Sequence, residues 1–224
     1  MRCDEVLAPA LANRVFLYRY AWRLFAVEPD EPLSEIAVDG QTMESCAVFA
    51  GLDSDMVRAQ EYIAKTLSDS DCFRRLRAEY VRLFVGPTKL PAPPWESVYV
   101  CGEDVIFQES TLDVREAFRA AGYEAGGYPH EADDHIATEL GFMAALSDDA
   151  LRLCQSGDGL SVSVALSRQV SFLSEHLNMW LPQFGNRLAS YADPKVDPYY
   201  LACVGFAVDL CRRDVAVIEE LMSE

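Results

Sequence analysis

The stretch DCFRRLRAEYVRLFVGPTKLPAPPWESVYV, residues 71–100, changes character at its middle. Before Gly86, the residues Phe73, Leu76, Tyr80, Leu83 and Phe84 recur at helical spacing and share one apolar face. Arg74, Arg75, Arg77 and Arg82 fall largely off that face, as expected of a solvated surface. Beyond Gly86, Pro87, Pro91, Pro93 and Pro94 crowd together. Proline lacks an amide donor and fixes φ, so residues 87–94 are predicted as a stiff extended loop. Residues 97–101 read as a short β-like stretch, too isolated to build a sheet.

Outward from this break, helical periodicity dominates. Residues 5–27 place Leu7, Leu11, Val15, Tyr18, Trp22 and Phe25 on one stripe, ended by Pro29 and Pro32. Residues 41–51 and 55–67 read as two short helices split at Gly51. Ser110 reads as an N-cap, and Gly122 closes that helix. A long helix is predicted over 131–154, a flexible joint at Gly157 and Gly159, and a helix over 161–178. Pro182 is read as the start of a short helix to about residue 191. Asp197-Pro198 makes a cap and first-turn pair for a final helix to about residue 221. With no period-two runs and no βαβ alternation, the prediction is all-α. It is a single globular domain over residues 1–224, of about eight to ten helices, with a hinge near 155–160.

Composition narrows the function classes. The 224 residues carry 19 Lys+Arg against 36 Asp+Glu, a net charge of −17. That argues against general nucleic-acid binding and against docking on anionic lipid. No apolar run approaches the roughly 20 residues a membrane-spanning helix needs. The acidic and polar residues near Met1 do not read as a signal peptide. The seven cysteines are scattered without a CxxC pair. They read as reduced thiols of a cytoplasmic protein.

Two segments depart from the helical monotony. In the first, Trp95 and Tyr99 follow the proline loop and add amphipathic surface to a preorganised strap suited to an apolar peptide. Tyr80 and Phe84, one helical turn apart, are read as lining the same groove. The second, residues 130–140, holds two of the three histidines, His130 and His135, with Glu131, Asp133, Asp134 and Glu139. Acidic residues in a first helical turn complement the helix dipole. His130, His135 and Glu139 would make a loose three-ligand metal set, the basis of a metal-dependent hydrolase reading. A plain helical adaptor is a third reading. His176 reads as a helix-surface residue. No nucleophile elbow, phosphate loop or dinucleotide fingerprint occurs, so no catalytic residue, cofactor or bound metal is expected.

The same segments resemble the TorD/DmsD/NarJ family of redox-enzyme maturation chaperones. The first family signature, E-x-x-x-L-F-x-G-P followed by P-P-W-x-S-V-Y, matches Glu79, Leu83, Phe84, Gly86 and Pro87, then Pro93, Pro94, Trp95, Ser97, Val98 and Tyr99. The second, E-P-x-D-H, matches Glu131, Asp134 and His135, with Ala132 in place of the proline. Phe172, Leu173, His176, Leu177, Trp180, Pro182 and Phe184 match F-L-x-x-H-L-x-x-W-x-P-x-F. The Pro-Pro-Trp loop resembles the TorD/DmsD branch. The resemblance implies a non-enzymatic cytoplasmic chaperone. Its partner would be the twin-arginine signal peptide and catalytic subunit of a molybdoenzyme of the dimethyl-sulfoxide reductase kind. It implies Pro94, Trp95, Asp134 and His135 as the peptide-binding hot spot. Glu131, Asp133 and Asp134 are expected to meet the arginines, and Trp95 and Tyr99 the apolar stretch. A monomer, or a homodimer exchanging helices at the Gly157–Gly159 joint, is expected.

Overall fold

A computed structural model describes residues 6–69, 71–86, 89–102, 108–126, 132–191 and 198–223. Pro87, Gly127, Pro129, His130, Glu131 and Asp197 lie outside them. Among the described residues there is no strand. Eleven α-helical segments and two π-helical turns run in the order α1 (Leu7–Ala26), α2 (Glu31–Val38), α3 (Gly40–Ala50), α4 (Asp55–Leu67), α5 (Cys72–Tyr80), π1 (Val81–Val85), α6 (Glu96–Val100), α7 (Glu109–Ala120), α8 (Ile136–Ser156), α9 (Gly159–Phe172), π2 (Leu173–Leu177), α10 (Asn178–Tyr191) and α11 (Tyr199–Ser223). Because α5 runs on into π1, and α9, π2 and α10 are continuous, the segments form ten rods. The all-α reading holds.

The core is built on α1 and α8, which pack along each other, and on α11, which packs against α4 and α10. Helix α1 is buried beyond a single stripe, since Leu17, Tyr20, Ala21 and Leu24 join Leu11, Tyr18 and Phe25 inside. Trp22, expected on the stripe, is instead 42% exposed. Arg14 is fully buried in this helix. Its Nε donates to Asp214 Oδ1 at 2.6 Å and its second guanidinium nitrogen to Asp214 Oδ2 at 2.8 Å. Tyr18 donates to the same carboxylate, and Gln169 accepts from Arg14, so the network ties α1, α9 and α11 together.

Several boundaries differ from expectation, each for a local reason. Residues 96–100 form a helical turn, not a β-like stretch, because burial of Glu96 and a distant carboxylate cap override the strand propensity of Val98 and Tyr99. Helix α7 starts at a Gln108–Thr111 capping box instead of at Ser110. Helix α8 starts only at Ile136. His135 is extended, and its Nδ1 accepts from the Ala137 N–H, an N-cap made by imidazole. Pro182 lies inside α10, not at a helix start. Burial of Trp180, Leu181, Phe184 and Leu188 around it outweighs the roughly 3 kcal/mol of an interior proline. A short helix, α2, sits where only a break was expected, with Asp30 capping the Leu33 N–H and Pro32 in its first turn.

The Gly157 joint is a closed Schellman turn. Gly157, at φ +80°, donates to the Cys154 carbonyl, and Asp158 donates to Leu153. Among the described residues Cys46, Cys72, Cys101, Cys203 and Cys211 are outside any disulfide, as expected of reduced cysteines. No described helix is long and apolar enough to cross a membrane.

Candidate functional site

The two segments singled out in sequence meet in space. After π1, Gly86 at φ +49° turns the chain out of its helix, with its N–H donating back to Val81. The strap then lies against the residues that lead into α8. Trp95 and His135 form an isolated antiparallel bridge. Glu96 donates its N–H to the Asp134 carbonyl at 2.9 Å, and Ile136 donates to the Pro94 carbonyl at 3.0 Å. These bonds flank the Trp95–His135 pair without joining it. Such a non-hydrogen-bonded antiparallel pair brings its two side chains closest. The rings meet edge-on at 5.3 Å. Pro93 and Pro94 are buried, while Trp95 and His135 stay partly exposed.

Asp134 clamps this junction from below. It is fully buried. Its Oδ2 accepts from the Ser97 N–H at 2.8 Å and its Oδ1 from the Thr111 hydroxyl at 3.1 Å. One carboxylate thereby caps α6 and pins α7. Asp133 is equally buried and pairs with Arg115 at 2.5 Å. Both carboxylates are therefore buried on partners inside the chain, Asp133 through Oδ2 alone, against the expectation that they face a peptide. Tyr80 and Phe84 are core residues as well. Tyr80 bonds the Phe25 carbonyl, and the two rings pack with Phe25 and Tyr200. Tyr99 is partly buried and stacks on Trp180 at 5.7 Å, with the Arg187 guanidinium over its ring. Of the nine peptide-binding residues read from sequence, Trp95 and His135 present surface together, and Glu131 lies outside the described residues.

Two other acidic groups lie beneath the strap. Glu96 is buried against His176, its carboxylate oxygens 3.1 and 3.2 Å from Nδ1. Burial raises the Glu96 carboxyl above its ordinary range, and the histidine contact opposes that rise. Glu139 is fully buried. It accepts from the Trp180 indole at 3.2 Å, and its Oε1 has no partner. Burial first, and the neighbouring Glu96 charge second, push its pKa well above the carboxylate range. His135 is pulled down to about 4 by burial. Among the described residues no group of three or more His, Cys, Asp or Glu side chains is arranged to hold a metal ion. His135 and Glu139 serve instead as a helix cap and an indole acceptor.

His135 also forms one wall of a groove of about 500 Å³. Trp22 and Ala26 of α1, Phe118 of α7, Tyr123 and the turn after it, and a face of α8 that includes Gly141 and Phe142 form the rest. Gly141 lets α1 approach, since a Cβ there would stand 3.1 Å from Trp22 Cδ1. These walls were not read from sequence. Trp22 was absorbed into a core stripe, and Phe118 and Phe142 carry no motif. The Glu96–His176 pair was also missed. The spacing of Phe172, Leu173, His176, Leu177 and Trp180 held the signal, since all five lie on one apolar face.

Comparison with known proteins agrees with this architecture. The model of the nitrate reductase delta subunit family matches residues 50–186, which span the strap, the Asp134–His135 junction and α10 up to Asn186. The chain belongs to that family of redox-enzyme maturation proteins. Within it, the chain falls on the TorD/DmsD branch. It is 27% identical over 175 residues to the chaperone protein TorD of Vibrio cholerae serotype O1, covering 77% of this chain and 76% of that protein. It is 30% identical over 152 residues to the Tat proofreading chaperone DmsD of Salmonella typhi, covering 67% of this chain and 64% of that protein. The chain is thus a maturation chaperone by descent.

Proposed function

We propose that the protein binds the twin-arginine signal peptide of a molybdoenzyme catalytic subunit in the cytoplasm. In this reading it keeps the client from export until its cofactor is in place, and it performs no chemistry of its own. The observation that carries the reading is the Trp95–His135 ring pair beside an aromatic groove in a chain of net charge −17. A twin-arginine leader is basic and then apolar. The groove walls Trp22, Phe118 and Phe142 suit its apolar stretch, and Trp95 is an amphipathic anchor of the kind that dominates peptide interfaces. The exposed Glu124 at the groove suits its arginines. Asp133 and Asp134 act here from behind the surface, holding it in shape.

Titration calorimetry with a twin-arginine leader peptide tests this. Trp95→Ala is expected to weaken binding by more than about 1 kcal/mol, with the fold intact by circular dichroism. Replacing the two arginines of the peptide by glutamines is expected to weaken it further and to flatten its salt dependence. Equal affinity of wild-type and Trp95→Ala proteins would overturn the site assignment.

A further inference from the structure

We infer that Glu96 and His176 are positioning residues that aim the Trp95 ring, without themselves touching the leader; this rests on the reading of Trp95 as a leader contact. The strap has no regular structure of its own before α6. Arg187 Nε holds the Pro91 carbonyl at 2.9 Å, Ile136 at the start of α8 holds the Pro94 carbonyl, and the Asp134 carbonyl just before α8 holds the Glu96 N–H. These contacts fix where the strap lies. The Pro94 and Glu96 bonds set the peptide planes on either side of Trp95, and the buried Glu96 side chain is a further hold on that orientation, which sets the direction of the indole. Trp95 and Glu96 are consecutive, and they point opposite ways. The indole faces the His135 ring at the surface, while the Glu96 carboxylate is buried on His176. Swinging the indole away would therefore drag the carboxylate off its partner and leave two buried polar groups unpaired, a strongly unfavourable state.

The way His176 is delivered supports a dedicated role. It sits in π2, where the Asn178 N–H reaches back to the Leu173 carbonyl, and there is no proline or glycine in residues 173–177 to cause the irregularity. Single π turns within helices cluster at functional positions. The strap itself leaves from the other one, π1. Both irregular turns thus serve one object, the launch and the anchor of the strap. Nor does the pair explain itself as a stabiliser. Buried ion pairs can commonly be exchanged for apolar residues of similar volume without loss of stability.

That last point supplies the test. The double variant Glu96→Leu/His176→Leu is compared with wild type, with Glu96→Gln and with Trp95→Ala. Three quantities are read for each: stability in urea, leader affinity by calorimetry, and hydrogen exchange of the amides of residues 96 and 136. The double variant is expected to fold with near-native stability, to bind the leader roughly tenfold more weakly, and to lose protection at the two amides. Glu96→Gln keeps shape and a hydrogen-bonding group, and is expected to restore most of the affinity; should the double variant fail to fold, the comparison passes to Glu96→Gln and His176→Gln, of which the second is expected to weaken the leader and the exchange protection together. Native affinity and native amide protection in a folded variant lacking the pair overturn the inference. If Trp95→Ala leaves affinity unchanged, the leader reading fails instead, and the amide protection alone then decides whether the pair positions the strap.

Discussion

Two buried polar networks in this molecule look alike and are differently placed. Arg14 and Asp214 join long regular helices at the centre, with Tyr18 and Gln169 completing the set. Glu96, His176 and Asp134 lie under a strap with almost no regular structure, one residue away from the Trp95–His135 surface. Helices α1 and α11 already bury large apolar faces, so the central pair adds register to elements that would pack anyway. The strap buries little beyond Ala92, Pro93 and Pro94, so polar contacts decide its conformation. Charge inside a core is therefore a matter of stability in one place and of aim in the other.

The largest way to probe that difference is Arg14→Met, which leaves the Asp214 carboxylate buried without its partner. It is expected to cost about 3–5 kcal/mol in urea unfolding while leaving leader affinity of the folded fraction unchanged. Asp134→Ala is next. It strands the Ser97 N–H and the Thr111 hydroxyl, and is expected to cost about 2–3 kcal/mol in the same assay. Unlike the central variant, it should also weaken leader binding. An Arg14→Met protein with impaired affinity, or an Asp134→Ala protein without, would erase the contrast.

Smaller effects come from pH. The His135 pKa is lowered to about 4 in the fold, so an unfolded chain takes up the proton first as pH falls below the ordinary value of 6.5. Stability from this residue is complete above that value and is lost toward pH 4. His135→Asn keeps an N-cap oxygen without the titration, and should flatten that slope by about 1–2 kcal/mol. Glu139 works in the opposite sense. Its raised pKa means that the unfolded chain releases the proton first as pH rises above 4.5, so its contribution falls with rising pH. Glu139→Gln should therefore gain stability relative to wild type as pH rises above 4.5, read by urea unfolding at each pH. The smallest effect is expected from Gly141→Ala. Helix propensity favours it by about 0.5–1 kcal/mol, and the exposed Trp22 can yield the few tenths of an ångström needed. Thermal melting should show a slight rise, and leader titration a modest loss as the groove narrows.

The sequence carried the fold well wherever one force acted alone. Apolar spacing marks α1, α4 and α8, and glycine marks the ends of α3 and α8, because burial periodicity and left-handed caps are local properties. It misled where distant residues intervened. The turn at Glu96 is helical because Asp134, thirty-seven positions beyond Ser97, accepts the Ser97 N–H and caps it. Asp133 and Asp134 look like surface acids in a string of polar letters, and only their partners Arg115, Ser97 and Thr111 show them to be interior. Trp95 and His135 were legible as a site, since both signatures carry them. The groove walls were not, because an aromatic facing a groove and one facing the core have the same spacing.

The span between Glu96 and His176 has a further consequence. They are 80 positions apart, and Arg187, which holds the strap at Pro91, lies 96 positions from it. Closing such long loops is slow and comes late in folding. During synthesis the strap emerges long before either of its anchors. A nascent chain that ends before residue 176 has the tryptophan and its junction with residues 134–136 but neither His176 nor Arg187, so the strap is fully anchored only once α10 has been made.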